Sequence, residues 1–369
     1  MTPTPNIHRA RRFALTSVAV AAALGLTLSG CATGSADDTD SGSADGGDAK
    51  KVTLVVHDSF PNDDFAKAAS AATGYDVQVV SAGDGGELTN KLVLTKGAPI
   101  ADAFFGVDNI FASRLLDNDV VTAYTPDDLP DSAGEFAVDG DTNAGLVPVD
   151  RGATCINVDT AWFAEHDLAV PETYEDLTKS EYKDLTVLLD PTASSTGASF
   201  LVGTVAEFGK DGFTDYWQRL VDNGARIEQG WSDAYYGQFT QGGEDGTKPI
   251  VVSYASSPAF TVDEAGTASS TSALLDTCTT QVEYAGVLQG AENEVGAEAV
   301  VDYLVSHEFQ QTIPDAMYMN PIDETVKMPA AWTKFAPEPA SGQTHDLSSR
   351  EIEAGREGWL KTLSEQIGL

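Results

Sequence analysis

Cysteine and histidine are scarce in this chain, which has three and five of them among its 369 residues. No cysteine spacing is of the metal-binding type, and the histidines are scattered, with no HExxH motif and no pair at helical spacing. The chain also lacks a G-x-S-x-G nucleophile motif, a P-loop and a cysteine–histidine spacing typical of a nucleophile. We therefore predict no metal, no cofactor and no enzymatic activity.

Basic residues are few as well. Lysine and arginine total 21 against 57 aspartates and glutamates, which gives a formal net charge of -36. A chain this acidic repels nucleic acid and anionic membrane surfaces, so neither is an expected partner. Its field attracts cations instead, although an acidic surface also serves solubility alone.

One apolar run, from Phe13 to Leu28, follows three arginines between positions 9 and 12. The run is short for a membrane span and suits the apolar core of a signal peptide. It ends in "LSGC", the pattern of a bacterial lipobox, which predicts that residues 1–30 are removed and that Cys31 is lipidated. The protein is then exported and held at the outer face of the cell membrane through its lipid anchor.

Large apolar residues are absent from residues 31–50, which are mostly Gly, Ser, Ala and Asp. Such a segment buries too little surface to offset chain entropy, so we predict a flexible tether. The remaining residues, 51–369, are numerous enough for two domains.

The body alternates apolar, Val-rich strands with helical patterns joined by short Gly-bearing loops, which predicts α/β domains with a mostly parallel sheet. Two extended runs, "GLVPVDRGATCINVD" and "TCTTQVEYAGVLQ", interrupt this rhythm. We predict that they are hinge strands joining two lobes, with a ligand cleft between the lobes. The first lobe comprises residues 51–150 and 279–369, which include a C-terminal helix, and the second comprises residues 151–278.

Two cysteines fall on the predicted hinge strands, one on each. Disulfides form in exported proteins, so we expect Cys155 and Cys278 to be bonded. Within the second lobe the pattern predicts helices around 198–209, 211–224 and 257–265.

Three strand-to-helix loops place hydroxyls or glycines at helix N-termini, where backbone N–H groups favour a negative ligand group. They contain Asp84 with Gly85, Ser194 with Ser195, and Ser257 before a proline. Ordinary helix capping explains each loop equally well. Their matching topological positions favour a site.

Rings are concentrated in "GWSDAYYGQF", residues 230–239. Three interpretations stand: a core cluster, a slot that stacks a flat cation, or Tyr235 and Tyr236 as phenolate ligands of iron. Trp231 and Tyr318 could stack on a ring from opposite lobes, with Tyr254 at a predicted strand end.

The body resembles the thiamine-binding periplasmic proteins, the substrate-binding components of bacterial thiamine ABC transporters. The resemblance covers nearly all of the chain from Lys51 and rests on motifs in matching order, namely "HDSF", "GDGGELTNKL", "GVDN", "PVDRG", "DPTASSTG", "GWSDAY", "VVSYASSPAF", "HEFQQTIP" and "MNP". It implies a two-lobed periplasmic-binding-protein fold of type II character that binds thiamine or its phosphates. It also implies delivery to an ABC permease, and we expect a monomer.

The resemblance, together with the aromatic pattern, assigns the ligand contacts to Asp84, Gly85, Ser194, Ser195, Trp231, Tyr235, Tyr254, Ala255, Ser256, Ser257 and Tyr318. Tyr235 is preferred over Tyr236 because it matches the family's aromatic position. The family pattern is not kept at His57, Arg151, Phe260 and Tyr318, so hydrogen bonds of the family are lost there. The alternative is a ferric-ion-binding protein of the same broad fold that uses Tyr235 and Tyr236.

Overall fold

The computed structural model describes residues 50–369 apart from Asp139, Glu244 and Ser341. The predicted signal peptide, Cys31 and nearly all of the predicted tether lie outside the described residues. The described part contains ten strands in one mixed sheet. They are β1 (Lys51–Val56), β2 (Asp76–Ser81), β3 (Ala103–Asp108), β4 (Val121–Thr122), β5 (Val147–Asp159), β6 (Thr186–Leu189), β7 (Arg226–Glu228), β8 (Ile250–Tyr254), β9 (Thr271–Leu288) and β10 (Asn320–Pro321).

The sheet has two parallel flanks around an antiparallel centre. Its strand order is β2-β1-β3-β9-β5-β8-β6-β7, with β10 on β5 and β4 on β9. On one flank β1 is parallel to β2 and β3, and on the other β6 is parallel to β7 and β8. The central strands β5 and β9 pair with each other antiparallel over most of their length. These are the two predicted hinge strands, and they join the two flanks into one sheet.

Helices cover both faces of the sheet. They are α1 (Asn62–Thr73), α2 (Gly85–Leu94), α3 (Ala112–Asp117), α4 (Thr160–Glu165), α5 (Ser195–Phe208), α6 (Phe213–Asp222), α7 (Trp231–Tyr235), α8 (Glu294–Val305), α9 (His307–Gln310), α10 (Ile313–Met317), α11 (Ala330–Phe335) and α12 (Ser349–Ile367). None of the helices within the described residues is long and apolar enough to cross a membrane.

Two apolar cores lie on opposite faces of the sheet, as expected when parallel strands are buried on both sides. One includes Phe65, Val300 and Phe309 beneath α1, α8 and α9. The larger one includes Leu88 and Trp217 and runs beneath α2, α5, α6 and α12, through both flanks. This larger core reaches the neighbourhood of the ring-rich segment, because Trp231 belongs to it.

The helix α1 begins after Pro61, and the amide of its first residue, Asn62, donates to the Ser81 hydroxyl at 2.9 Å. One local prediction of the second lobe is wrong. The segment 257–265 is not a helix beyond one 3₁₀ turn, Ser257–Phe260. There the Thr261 hydroxyl bonds to that of Thr271 at 2.7 Å, an interaction that competes with helical continuation.

The central strands carry a disulfide between Cys155 and Cys278, whose Cα atoms are 4.1 Å apart. Both cysteines are buried, beside an irregularity in the pairing of β5 with β9 between Thr154 and Ile156. The bond predicted from the hinge positions is therefore present, and it joins the two strands that connect the lobes.

The C-terminal helix α12 begins with a complete capping box between Ser348 and Glu351. It was assigned to the first lobe from the sequence, but it packs against α6 of the second lobe as well as α3 of the first. Arg356 donates to the carbonyl of Ile110 at 2.6 Å, and Gln366 donates to Gln218 at 3.4 Å. The helix thus bridges both lobes.

Candidate functional site

A cavity of about 230 Å³ lies where loops of both lobes meet the central strands. The turn after β1 contributes one wall, α7 and the end of β8 contribute the second, and the end of α10 the third. Glu283 on β9 reaches the cavity from the sheet. The lining residues are His57, Asp58, Ser59, Trp231, Ser232, Tyr236, Tyr254, Glu283, Ala316, Met317 and Tyr318.

The short helix α7 determines which rings face this cavity. Trp231 and Tyr235 are four residues apart on one helix face, so their rings stack, with centroids 4.9 Å apart and an interplanar angle of 16°. Tyr235 is only 2% exposed and lies behind the indole, whereas Tyr236 is 49% exposed and lines the cavity. The structure thus differs from the prediction that Tyr235 contacts the ligand in one respect: adjacent helical positions point about 100° apart, and Tyr236 rather than Tyr235 lines the cavity.

Four rings form what we call the aromatic enclosure: Trp231, Tyr236, Tyr254 and Tyr318. The Tyr236, Tyr254 and Tyr318 ring centroids lie 5.3, 5.8 and 5.3 Å from that of Trp231. The indole is fixed by its Nε1–H, which donates to the Ser253 hydroxyl at 2.9 Å. Because the four rings meet at tilted and edge-on angles, they form a pocket with electron-rich faces, which suits a flat cation.

Tyr318 enters this enclosure from the first lobe by an unusual backbone conformation. Its φ is 62°, in the left-handed region, at the end of α10. Its ring stacks on Phe260, with centroids 3.5 Å apart, and its hydroxyl lies 3.5 Å from that of Tyr236. The Tyr318 carbonyl also accepts a hydrogen bond from Ser256. The ring is thus held across the lobe boundary from both sides.

Burial raises the pKa values of two phenols of the enclosure, those of Tyr254 and Tyr318. Burial raises the pKa of Tyr254 well above its ordinary value, and the nearby Glu283 carboxylate raises it further. Burial and the Tyr236 hydroxyl likewise raise the pKa of Tyr318. Burial also raises the pKa of Tyr235, whose ring stands edge-on to Tyr236. The described residues contain no group of three His, Cys, Asp or Glu side chains arranged around a metal position.

Asp84 forms a polar seam between the lobes with backbone N–H groups at the starts of α2, α5 and α7. Its Oδ1 accepts from Gly85 N at 2.6 Å and Ser195 N at 3.1 Å, and its Oδ2 accepts from Trp231 N at 3.0 Å. One carboxylate from the first lobe therefore satisfies amides at two helix starts in the second lobe. The sequence predicts Asp84 as a contact to the ligand, but its oxygens already accept three hydrogen bonds.

The amides of α2 are engaged in the same seam. Gly86 N and Glu87 N both donate to the carbonyl of Ala193, at 2.9 and 3.2 Å. A Cβ on Gly86 would lie 2.6 Å from that carbonyl oxygen, and a Cβ on Gly85 would lie 2.7 Å from the Ser195 Cβ. The glycines predicted to bind an anion instead permit this close approach of backbone to backbone.

The serine hydroxyls of the two other predicted loops also form hydrogen bonds within the protein. Ser194 is fully buried and accepts from Gly197 N at 3.3 Å as the cap of α5. The Ser257 hydroxyl lies 2.8 Å from that of Ser253, the residue that holds the Trp231 indole. The predicted contacts that line the cavity are Trp231, Tyr254 and Tyr318, whereas the cavity lining does not include Gly85, Ser194, Ser195, Tyr235 or Ser257. Ala255 and Ser256 line a separate cavity, beside Arg151.

Residues that the sequence did not single out lie side by side on the central strands, and we call them the acid row: Asp108, Glu283 and Asp150. Of these three, Glu283 lines the cavity. Glu283 on β9 is the register partner of Asp108 on β3 and of Asp150 on β5. The three are 0%, 4% and 0% exposed. Side chains directly opposite each other lie about 5 Å apart, where two carboxylates repel by about 3 kcal/mol at an effective dielectric of about 20.

This crowding changes the ionisation of the acid row. Burial raises the pKa of Glu283 well above its ordinary value, and the adjacent Asp150 raises it further. Burial also raises the pKa of Asp150, and burial followed by Glu283 raises that of Asp108. The sequence signal was present in "GVDN" and "PVDRG", where an acid ends or interrupts an apolar strand.

Comparisons with known proteins agree with this architecture. The family model for bacterial extracellular solute-binding proteins matches residues 98–337. A protein of Salmonella typhimurium named thiamine-binding periplasmic protein is 27% identical over 315 residues, which cover 84% of this chain and 91% of that protein. Its counterpart of the same name in Escherichia coli is also 27% identical over 315 residues, with the same coverage.

Solved structures show the same fold. One described as a periplasmic thiamin binding protein has a TM-score of 0.74 at 24% identity and covers 86% of this chain and 96% of its own. The iron-bound HitA of Pseudomonas aeruginosa has a TM-score of 0.66 at 16% identity, with coverage of 86% and 99%. At these identities the structures establish the two-lobed fold.

Proposed function

This chain belongs to the family of bacterial extracellular solute-binding proteins, a class of binding proteins rather than enzymes, and from that premise we propose that its solute is thiamine. The observation that carries the proposal is the aromatic enclosure above the acid row. Thiamine joins an aminopyrimidine to a thiazolium ring with a permanent positive charge. A pocket of neutral rings over buried carboxyl groups matches that charge and that flat shape.

Each part of the cavity has a separate task in this proposal. Trp231 and Tyr318, which come from opposite lobes, contact the ligand rings, and each contact with the cation contributes about 0.5–2 kcal/mol. Tyr236 and Tyr254 close the sides. Glu283 supplies negative charge from below, while the seam at Asp84 holds the lobes together around the ligand.

Free thiamine is the preferred form in this proposal, ahead of thiamine phosphates. The helix N-termini that would hold a phosphate are engaged by Asp84, Ala193 and Ser194. The cavity floor is acidic, so it repels an added negative group. Both properties disfavour a phosphate within the cavity.

We further propose that the protein acts as the capture component of an ABC importer. It takes up thiamine outside the cytoplasm, anchored through lipidated Cys31 and the tether of residues 31–50, and delivers it to a permease as a monomer. The acidic sequence and the lipobox pattern support this arrangement.

Calorimetric titration of the purified body with thiamine and its mono- and diphosphate tests the proposal. We expect binding of thiamine with one site per chain, weaker binding of both phosphates, and quenching of intrinsic tryptophan fluorescence. A parallel titration with ferric citrate tests iron as the alternative solute. A visible absorption band with iron and no heat with thiamine would replace thiamine by iron as the solute.

A further inference from the structure

The acid row takes no part in the polar seam, and one of its members, Glu283, lines the cavity that a cation would enter. We propose that Asp150 and Glu283 hold one proton between them while the cavity is empty and release it to solvent when the cation binds, so that Glu283 becomes the ligand's counter-ion. This inference rests on the proposed function, because it takes the cation to be the thiazolium of thiamine.

The geometry of the pair supports proton sharing. Asp150 and Glu283 are register partners on neighbouring strands, with Asp150 wholly buried behind Glu283. Among the described residues, no N–H or O–H group donates to either carboxylate oxygen of Asp150. A buried carboxylate without a donor is costly, so a proton between the two carboxyl groups is the available compensation.

Glu283 connects this buried pair to the cavity. It lines the cavity, and its Oε1 lies 3.8 Å from Nε2 of His57, which also lines it. The Nδ1 of His57 accepts from Ser59 N at 3.2 Å, so the opposite ring nitrogen, Nε2, is the one directed toward Glu283. Among the described residues Nε2 has no hydrogen-bond partner. Glu283 is therefore the carboxyl group that a ligand reaches.

The charged and titratable groups around the pair are mostly acidic. Asp108 faces Glu283 from β3, Asp84 acts on it from the start of α2, and Tyr254 faces it from β8. His57 is the neighbour that favours the charged form of Glu283. Arg356 interacts with Asp108 at the far end of the acid row. Without a bound cation, the environment of the pair therefore favours a retained proton.

The reaction is balanced without any co-reactant. The Asp150–Glu283 carboxyl group loses its proton to the buffer, and the resulting carboxylate pairs with the ligand's positive charge. Since the pKa values of both acids are raised in the empty protein, the cation binds a state that becomes more populated as the pH rises. Thiamine affinity should accordingly increase with pH above the ordinary carboxyl range, by at most tenfold per pH unit.

The same proton linkage affects the free energy of unfolding of the empty protein. Its effect has the opposite sign: affinity rises with pH, whereas stability falls. Between the ordinary carboxyl pKa of about 4.3 and the raised value, the folded chain holds a proton that the unfolded chain has lost. The free energy of unfolding of the empty protein should therefore fall as the pH rises through this interval. The double substitution Glu283→Gln with Asp150→Asn, which replaces both acids by neutral groups of similar shape, should flatten that fall.

Titration calorimetry with thiamine in buffers of different ionisation enthalpy measures the proton directly. Wild type should release up to one proton per thiamine, and Glu283→Gln should release nearly none. Glu283→Gln should also bind thiamine roughly ten- to a hundredfold more weakly at pH 8, because the counter-ion is missing. Asp315→Asn is the matched control: this exposed acid on α10 precedes the cavity residue Ala316 in the chain but does not line the cavity, and its removal should leave proton release unchanged.

The outcomes separate this inference from the proposed function. If wild type binds thiamine but releases no proton, and Glu283→Gln binds equally well, the inference is wrong and thiamine binding stands. If thiamine does not bind at all, the proposed function fails. The stability of the empty wild type and of the double variant Glu283→Gln with Asp150→Asn, measured against pH, then still tests whether the pair retains a proton, and identical slopes would reject it.

Discussion

The aromatic enclosure and the polar seam adjoin each other at Trp231, yet they are built in opposite ways. The enclosure leaves ring faces and a partly exposed Tyr236 toward an open volume. In the seam these polar groups are already hydrogen-bonded to each other: the Asp84 carboxylate accepts three backbone hydrogen bonds and the Ala193 carbonyl accepts two. Trp231 belongs to both regions: its backbone N–H is in the seam and its indole is in the enclosure.

This difference shows that a helix start with small and hydroxyl residues does not by itself mark a ligand site. The same N–H groups that attract a phosphate also attract a carboxylate from a facing lobe. In this protein the lobes satisfy those groups between themselves. The ligand is left with ring faces and buried acids, which favour a cation.

The largest test of the enclosure is Trp231→Ala. We expect thiamine binding to weaken by about 2–3 kcal/mol, or roughly thirty- to a hundred-and-fifty-fold, because buried contact area and cation–π attraction are both removed. Trp231→Phe should lose much less. Trp217→Phe, a core control, should leave affinity and quenching nearly unchanged. Binding by folded Trp231→Ala within twofold of wild type would make the ring a core residue only.

The seam is tested by Asp84→Ala, which removes the acceptor of three N–H groups. We expect the free energy of unfolding to fall by about 2 kcal/mol, measured by urea denaturation, and the radius of gyration in X-ray scattering to rise as the lobes separate. Asp84→Asn keeps one oxygen acceptor and should be milder. A loss of thiamine affinity as large as that of Trp231→Ala, with stability unchanged, would show instead that Asp84 contacts the ligand.

The two adjacent tyrosines separate the cavity face from the core. Tyr236→Ala should weaken thiamine binding by about 1 kcal/mol with little change in stability, because an exposed ring is removed from the cavity wall. Tyr235→Phe should leave affinity within twofold, since its ring stays stacked behind Trp231. Titration calorimetry with thiamine on both variants measures the two losses of affinity. A larger loss for Tyr235→Phe than for Tyr236→Ala would show that Tyr235 contacts the ligand.

We expect the smallest effect from a substitution of Ser194, the N-cap of α5 in the seam region. Ser194→Ala should lower the free energy of unfolding by about 1 kcal/mol through loss of the α5 cap, without changing the thiamine dissociation constant more than twofold. Ser194→Asp, which restores a capping acceptor, should recover part of the stability. A selective loss of affinity for thiamine phosphate in Ser194→Ala would mean that this hydroxyl serves a ligand.

Much of the fold could be predicted from the sequence because its apolar periodicity is strong. The alternation of strands and helices, the hinge strands and the pairing of Cys155 with Cys278 all follow from local pattern and compartment. The role of Asp84 could not be predicted, because its partners Ser195 and Trp231 lie more than 100 positions away in the chain. The acid row was missed for a related reason: its three members meet only through strand register.

The prediction for Tyr235 differs from the observed ring positions for another physical reason. A five-residue helix has barely more than one turn, so a shift of one residue in its start exchanges the buried and exposed rings. The preference for Tyr235 rests on the family's aromatic position, which does not report which side of the helix Trp231–Tyr235 faces the cavity. Tertiary packing of the indole against Ser253, which no local pattern reports, determines the register.

The bridging helix α12 has a consequence for how the lobes separate. Arg356 attaches it to the first lobe and Gln366 to the second, so opening the cleft must break or slide contacts at a distance from the ligand. These contacts add to the energy difference between the open and closed forms, and so they set the fraction of empty protein that is already closed. The contacts of the C-terminal helix therefore influence the equilibrium between open and closed forms. A substitution that weakens these contacts would alter the apparent affinity without any change in the cavity.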